Sequence, residues 1–171
     1  MKVGVLRKDL SVQQSGIMTP GIMTSYDNVN SLKPEAIELK LPAKTEYIKV
    51  MRMSIAGICE RMHFSVDDIE DIKTAVCEAC INSIRHGHQG KVSEENLIHA
   101  RFIIHPKKLE IIITDSGKGF DTSRVDEYLA KPGDEKVEGI GLGIQLMKTL
   151  MNGVKYSSSA NGTKVRLVKN E

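Results

Sequence analysis

The apolar residues of this chain change period several times between Ala36 and Lys169, and that order of periods restricts the fold more than any other feature. Ala36 to Leu41 alternates apolar with charged, the period of a half-buried strand, and Pro42 closes it. Ile48, Met51, Ile55, Ile58 and Met62 recur at helical spacing, which predicts an amphipathic helix from about Thr45 to His63. Ser65 with Asp68 three residues later predicts an N-cap, opening a second helix that runs to about His86 and stops at Gly87. Two apolar runs follow, Leu97 to Ile104 and Leu109 to Thr114, joined by His105-Pro106-Lys107-Lys108 as a hairpin turn. A third helix is expected from Leu142 to Met151, and strands 154–158 and 163–169 flank Asn161-Gly162, a hairpin signal. The sum is an α/β (α+β) two-layer sandwich: a mixed, mostly antiparallel sheet with helices on one face.

Composition fits a single folded domain preceded by an arm. The 171 residues are 40% hydrophobic, and a chain of this size buries roughly 70% of its unfolded surface, enough for a core without disulfides or a structural metal. Residues 1–34 are rich in Ser, Thr, Gly, Asn and Met and read as a flexible N-terminal arm, leaving 35–171 as the domain. With 24 Lys+Arg against 22 Asp+Glu the net charge is only +2, and aromatics make up 4% with no Trp. Neither a phosphate-binding basic stripe nor a base-stacking platform is provided, so no direct nucleic-acid contact is expected. No stretch approaches the roughly 18–20 apolar residues that span a bilayer. The three cysteines cannot all pair, and no long apolar run follows Met1-Lys2-Val3-Gly4; a reducing, cytoplasmic setting is expected. Cys77-x-x-Cys80 lies inside a helical pattern without a second pair, so both read as buried small hydrophobes rather than zinc ligands.

Three short stretches carry the chemistry. On the second helix Ile69, Ile72, Val76, Ala79 and Ser83 form one stripe, and a narrow polar strip holds Asp71, Thr74, Glu78, Asn82 and Arg85, with His86 at its edge. Glu78 and Asn82 stack one turn apart. On these residues alone the strip is either an ordinary solvent-facing edge or a carboxylate and an amide able to take up a proton and ligate a hard Mg²⁺. Asp115-Ser-Gly117-Lys-Gly119 ends an apolar strand; it is either a plain glycine turn or a carboxylate at the strand tip followed by backbone that passes close to a flat ligand. Gly139-Ile-Gly141-Leu142-Gly143 opens a helix, where bare amides attract phosphates. A Rossmann fingerprint is excluded because Ile144 stands where a third glycine belongs and the preceding segment is charged, and no P-loop is present.

Taken in order, Glu78-Ala-Cys-Ile-Asn82-Ser-Ile-Arg-His86, Asp115-x-Gly117-x-Gly119 and Gly139-x-Gly141-Leu142-Gly143 resemble the N box and the two glycine boxes of the ATPase superfamily of gyrase, chaperones, histidine kinases and mismatch-repair proteins. The stretches from Leu41 to Tyr47 and from Ile69 to Cys80 are similar to the anti-sigma-factor serine kinases of that superfamily, of the stress (anti-sigma-B) and sporulation type. The resemblance covers about residues 36–170. It implies a histidine-kinase-like (Bergerat) fold, ATP and Mg²⁺ as cofactors, Glu78 as general base toward a substrate serine, and Asn82 as the protein ligand of Mg²⁺. It further implies that Asp115 receives the adenine amino group with support from Thr163, and that Gly117 and Gly119 flank the base. His86, Gly139, Gly141, Leu142 and Gly143 would complete the nucleotide site beneath a lid over 121–138. Ser83 and Gly87 stand where the family often has Ala. The same resemblance implies a homodimer that binds a sigma factor and phosphorylates a small anti-anti-sigma (STAS-type) protein, with Arg52 and Arg61 on the first helix as partner-binding cations. A nucleotide-binding module that only sequesters its partner, and a related kinase with another substrate, are the alternatives.

Overall fold

Every strand and helix expected from the periodicity forms. The computed structural model describes residues 34–87, 96–119 and 142–171, so the expected lid and, apart from Pro34, the arm lie outside the described residues. The elements are β1 (Glu35–Pro42), a 3₁₀ turn (Thr45–Tyr47), α1 (Ile48–Cys59), α2 (Val66–Asn82), a π turn (Ser83–Gly87), β2 (Leu97–His105), β3 (Lys108–Asp115), α3 (Leu142–Leu150), β4 (Gly153–Ser159) and β5 (Gly162–Asn170). The N-terminus of α2 is a reciprocal capping box. Ser65 Oγ accepts from Asp68 N–H at 3.1 Å, and Asp68 Oδ2 accepts from Ser65 N–H at 3.3 Å. Asp67 and Asp68 in its first turn also complement the helix dipole.

Two helix C-termini differ from expectation by more than one residue. The apolar spacing extends to Met62, but α1 ends at Cys59 because Arg61 N–H and Met62 N–H turn to the carbonyls three residues back, Ile58 and Cys59. Arg61 therefore stands after the first helix, not on it. At the other end of the pair, α2 passes from α to π geometry at Ser83, and this turn lies against β3 and β5. Inserted π turns of this kind cluster at functional sites.

The sheet order is β1-β2-β3-β5-β4, and all four described pairings are antiparallel. In register, Ile37, Phe102, Ile111, Leu167 and Val154 form one apolar row across all five strands. Against that face pack Met51 and Ile55 of α1, Ile72 and Val76 of α2 and Met147 of α3, each essentially solvent-free. Each such side chain contributes about 1.5–3 kcal/mol of burial, which is why the helices lie on this side. The neighbouring register row, Glu38, Arg101, Ile112, Arg166 and Lys155, points the other way and is largely polar. There Arg166 grips Glu110 with two bonds of 2.6 and 2.8 Å and holds its carboxyl below the usual range. One apolar face and one polar face make two layers sufficient.

Cys59, Cys77 and Cys80 are free and buried, as their helical context predicts. Burial pushes the Cys59 thiol up to about 11 and the Cys80 thiol up to about 12, so neither supplies a thiolate near neutrality.

Candidate functional site

Apart from Arg85, which lies in the π turn beyond α2 and is exposed, the expected polar strip does not face open solvent. Asp71, Thr74, Glu78 and Asn82 are all half-buried, because α3 packs along that side of α2. A Cβ added at Gly143, one residue into α3, would lie 2.6 Å from Glu78 Oε2 and 3.5 Å from Asn82 Nδ2. Glycine leaves the carboxylate in place; any side chain would displace it. Residues 65 apart in sequence thus meet where the start of α3, with its unsatisfied N–H groups, points past a carboxylate and an amide. The i, i+4 spacing of Glu78 and Asn82 puts both on the same turn of surface.

The second cluster sits at the end of β3. Asp115 is buried, 6% exposed, and its Oδ1 accepts from Gly117 N–H at 3.0 Å and Thr163 N–H at 3.3 Å. Its Oδ2 is buried and has no hydrogen-bond partner among the described residues. A carboxylate with one oxygen satisfied by backbone and the other orphaned is a receptor for a donor group that the chain itself does not provide. Asp115, Ser158 and Thr163 line one surface pocket, and Thr163 Oγ1 is 3.5 Å from Ser158 Oγ. The buried acceptor suits an exocyclic amino group, so the residues present fit an adenine nucleotide.

Two glycines build this corner by letting backbones touch. Gly119 has φ +68°, and a Cβ there would collide with the Ser159 carbonyl and the Ser158 hydroxyl on β4. Gly162 has φ +130°, and a Cβ there would run into the Asp115 carbonyl oxygen. Sequence reading gave Gly162 only a turn role. The turn proper is Ala160–Asn161, and Gly162 already pairs with Ser159 at the start of β5. Its neighbour Thr163 is what donates to Asp115, so close passage at 162 sets the pocket. Replacing Gly162 by Ala is expected to lower stability by about 1–3 kcal/mol, seen as a lower urea midpoint at unchanged slope. It should also weaken nucleotide binding; an unchanged midpoint would contradict the close passage.

Leu142 opens α3 and is exposed. Gly139, Gly141 and the segment 121–138 lie outside the described residues, as does the side chain of His86. Arg52 on α1 bonds Glu70 at 3.1 Å and approaches Cys77 Sγ at 3.9 Å. Arg61 grips Glu35 of β1 with bonds of 2.8 and 2.9 Å. Neither reaches the Glu78 or Asp115 clusters. Val50 and Met53, missed in the sequence reading because α1 fits an amphipathic pattern, are exposed apolar residues of the same helix, three apart and so on one flank, away from the side on which Arg52 meets α2.

A family model described as the histidine kinase-like ATPase domain matches residues 41–169. The serine-protein kinase RsbW of Bacillus pumilus is 39% identical over 134 residues, which span 75% of this chain and 82% of that relative. The chain belongs to the RsbW serine-protein kinases of the histidine kinase-like ATPase family. Membership in this family entails nucleotide use, and the matched span includes the Glu78, Asp115 and Gly143 stretches. Two solved structures share the family fold. The SiaB-SiaC complex of Pseudomonas aeruginosa superimposes with a TM-score of 0.57 at 13% identity, covering 77% of this chain and 88% of that one. The RsbU and RsbW domains of Rv1364c from Mycobacterium tuberculosis give 0.56 at 18% identity, covering 80% of this chain and 32% of that longer one.

Proposed function

We propose that this chain transfers the γ-phosphoryl group of ATP to a serine of a small anti-anti-sigma protein and, in its other state, holds a sigma factor. The observation that carries this reading is the contact between Gly143 and Glu78. It brings a carboxylate and an amide whose oxygen could ligate a metal to the helix N-terminus that would carry the phosphates. Phosphoryl transfer asks for positioning and charge neutralisation more than for covalent chemistry, and these three parts supply both. Asp115 fixes the adenine end on the sheet, with Gly117, Gly119 and Thr163 around it. By the family resemblance Gly139, Gly141, Leu142 and Gly143 would line the phosphates. Asn82 would hold Mg²⁺, whose bound charge offsets that of the phosphate oxygens. Glu78 takes the proton from the attacking serine hydroxyl.

On the partner side, α1 exposes Val50 and Met53 on one flank, apolar surface of the kind protein interfaces use, and a role for Arg52 there requires its release from Glu70. A role for Arg61 there requires its release from Glu35. A second copy of the chain and a cytoplasmic setting complete the reading, and among the described residues no helix is long and apolar enough to cross a membrane. A purely sequestering module has no use for Glu78, which favours the enzyme over that alternative. The direct test is incubation with labelled ATP, Mg²⁺ and an anti-anti-sigma protein: label on a serine of that protein is expected. Bound nucleotide with no transfer would favour the sequestering module instead.

A further inference from the structure

Lys169 breaks the pattern of its strand. The core-facing residues of β5 are Thr163, Val165, Leu167 and Lys169, and all four are buried. A lysine at that depth needs partners. Its Nζ lies 3.1 Å from Asp68 Oδ1 and 2.9 Å from Asp71 Oδ2, both on α2, and donates at 2.9 Å to the carbonyl of Leu150, the last residue of α3. Three ammonium protons meet three acceptors on two helices. Burial works against the charge, yet the two carboxylates hold the Lys169 pKa above its ordinary value.

The place of this node in the α2–α3 pair gives it a consequence for the site. Asp71 precedes Glu78 by seven residues, and Leu150 follows Gly143 by seven. At 1.5 Å per residue, each node-to-site arm is about 10 Å long. The two helices therefore run antiparallel, pinned at one end by Lys169 and meeting at the other where Gly143 touches Glu78. We propose that Lys169 is a positioning residue for phosphoryl transfer: it fixes the far ends of α2 and α3 so that Gly143 stays against Glu78 and Asn82. The Asp115 corner is built on β3, β4 and β5 and does not depend on that pinning. An apolar side chain at 169 would fill the space but leave Asp68 and Asp71 without their cation, and it would not set the angle or register of the helices.

This inference rests on the kinase reading, and the experiment separates the two. The kcat and KM for ATP are measured for the full chain and for Lys169→Met and Lys169→Arg, with an anti-anti-sigma protein as phosphate acceptor. ADP affinity is measured by calorimetry, all well below the thermal midpoint. A loss of about tenfold or more in kcat is expected for Lys169→Met, the scale of a sub-ångström to 1 Å misplacement. ADP affinity, held in part by the Asp115 corner, should fall by less than kcat does, and Lys169→Arg, which keeps charge and donors, should recover part of the rate. A kcat within about threefold of the parent, or parallel losses of kcat and ADP affinity, would overturn the proposal. If Lys169→Met fails to fold, Asp71→Asn is judged by the same criteria, since it loosens the node from the α2 side while leaving the Asp68 and Leu150 bonds. A parent chain that transfers no phosphate brings down the kinase reading and this inference with it; a parent that transfers, with Lys169→Met its equal, brings down the inference alone.

Discussion

Replacing Glu78 by Gln is expected to abolish phosphate transfer to the protein substrate while ATP continues to bind. Glutamine keeps the length and shape that fit beside Gly143, where a Cβ would already stand only 2.6 Å from the carboxylate oxygen, so α2 and α3 need not move. What it cannot do is take up the serine proton. General-base catalysis is worth about 10²–10⁴-fold, or about 3–5 kcal/mol of barrier at 1.36 kcal/mol per tenfold. Nucleotide affinity rests instead on Asp115, the glycines and Asn82, and should change by less than about threefold. The result is a fall in kcat with little movement in KM for ATP, the signature of an interaction used only in the transition state. Steady transfer by Glu78→Gln would remove the residue from the base role; loss of ATP binding along with transfer would make it a binding residue. Glu78→Ala extends the test, because removal of the carboxylate also opens space beside Gly143. Equal kcat losses in the two variants would locate the effect in the proton acceptor, not in packing.

The strands and helices were legible because each buries one face, and burial writes itself into sequence as a period. The row Ile37, Phe102, Ile111, Leu167 and Val154 is five separate strand signals brought into register. The two boundary errors have a common cause: periodicity reports which residues are buried, not which carbonyl each N–H chooses. Met62 is buried, so it extended the helical pattern, although the backbone had already tightened. The site was legible only in part. Glu78, Asn82, Asp115 and the glycine stretches stand out by residue type, but the meeting of Gly143 with Glu78 is a fact of α2–α3 packing that no local pattern contains. The same holds for Gly162, whose turn signal concealed a close passage over Asp115. Lys169 did leave a trace. It occupies an apolar register position of β5, and a charge where the period demands a hydrophobe is a sign that partners wait in the fold.

Asp115 is the residue whose replacement is expected to change which nucleotide the chain accepts. Its two oxygens have separate duties: Oδ1 takes the Gly117 and Thr163 N–H groups, and buried Oδ2 takes nothing from the described residues. In Asp115→Asn the amide oxygen can keep both backbone donors, which preserves the corner between β3 and β5. The NH₂ must then occupy the place of Oδ2. An acceptor aimed into the pocket becomes a donor. Adenine offers an amino group at the corresponding edge and guanine a carbonyl, so the variant opposes donor to donor for ATP and matches donor to acceptor for GTP. A hydrogen bond to a charged group is worth about 1.5–3 kcal/mol, so ATP affinity should fall about 10–100-fold while GTP affinity holds or rises, and discrimination collapses from both sides. Asp115→Ala differs in a useful way. It strands the Gly117 and Thr163 N–H groups as well, so it should weaken every nucleotide and lower stability, without inverting preference. Calorimetry with ATP and GTP on the parent and both variants measures this directly. Unchanged ATP affinity in Asp115→Asn would mean that Oδ2 faces no base, and the adenine end of the site would have to be sought elsewhere than at the tip of β3.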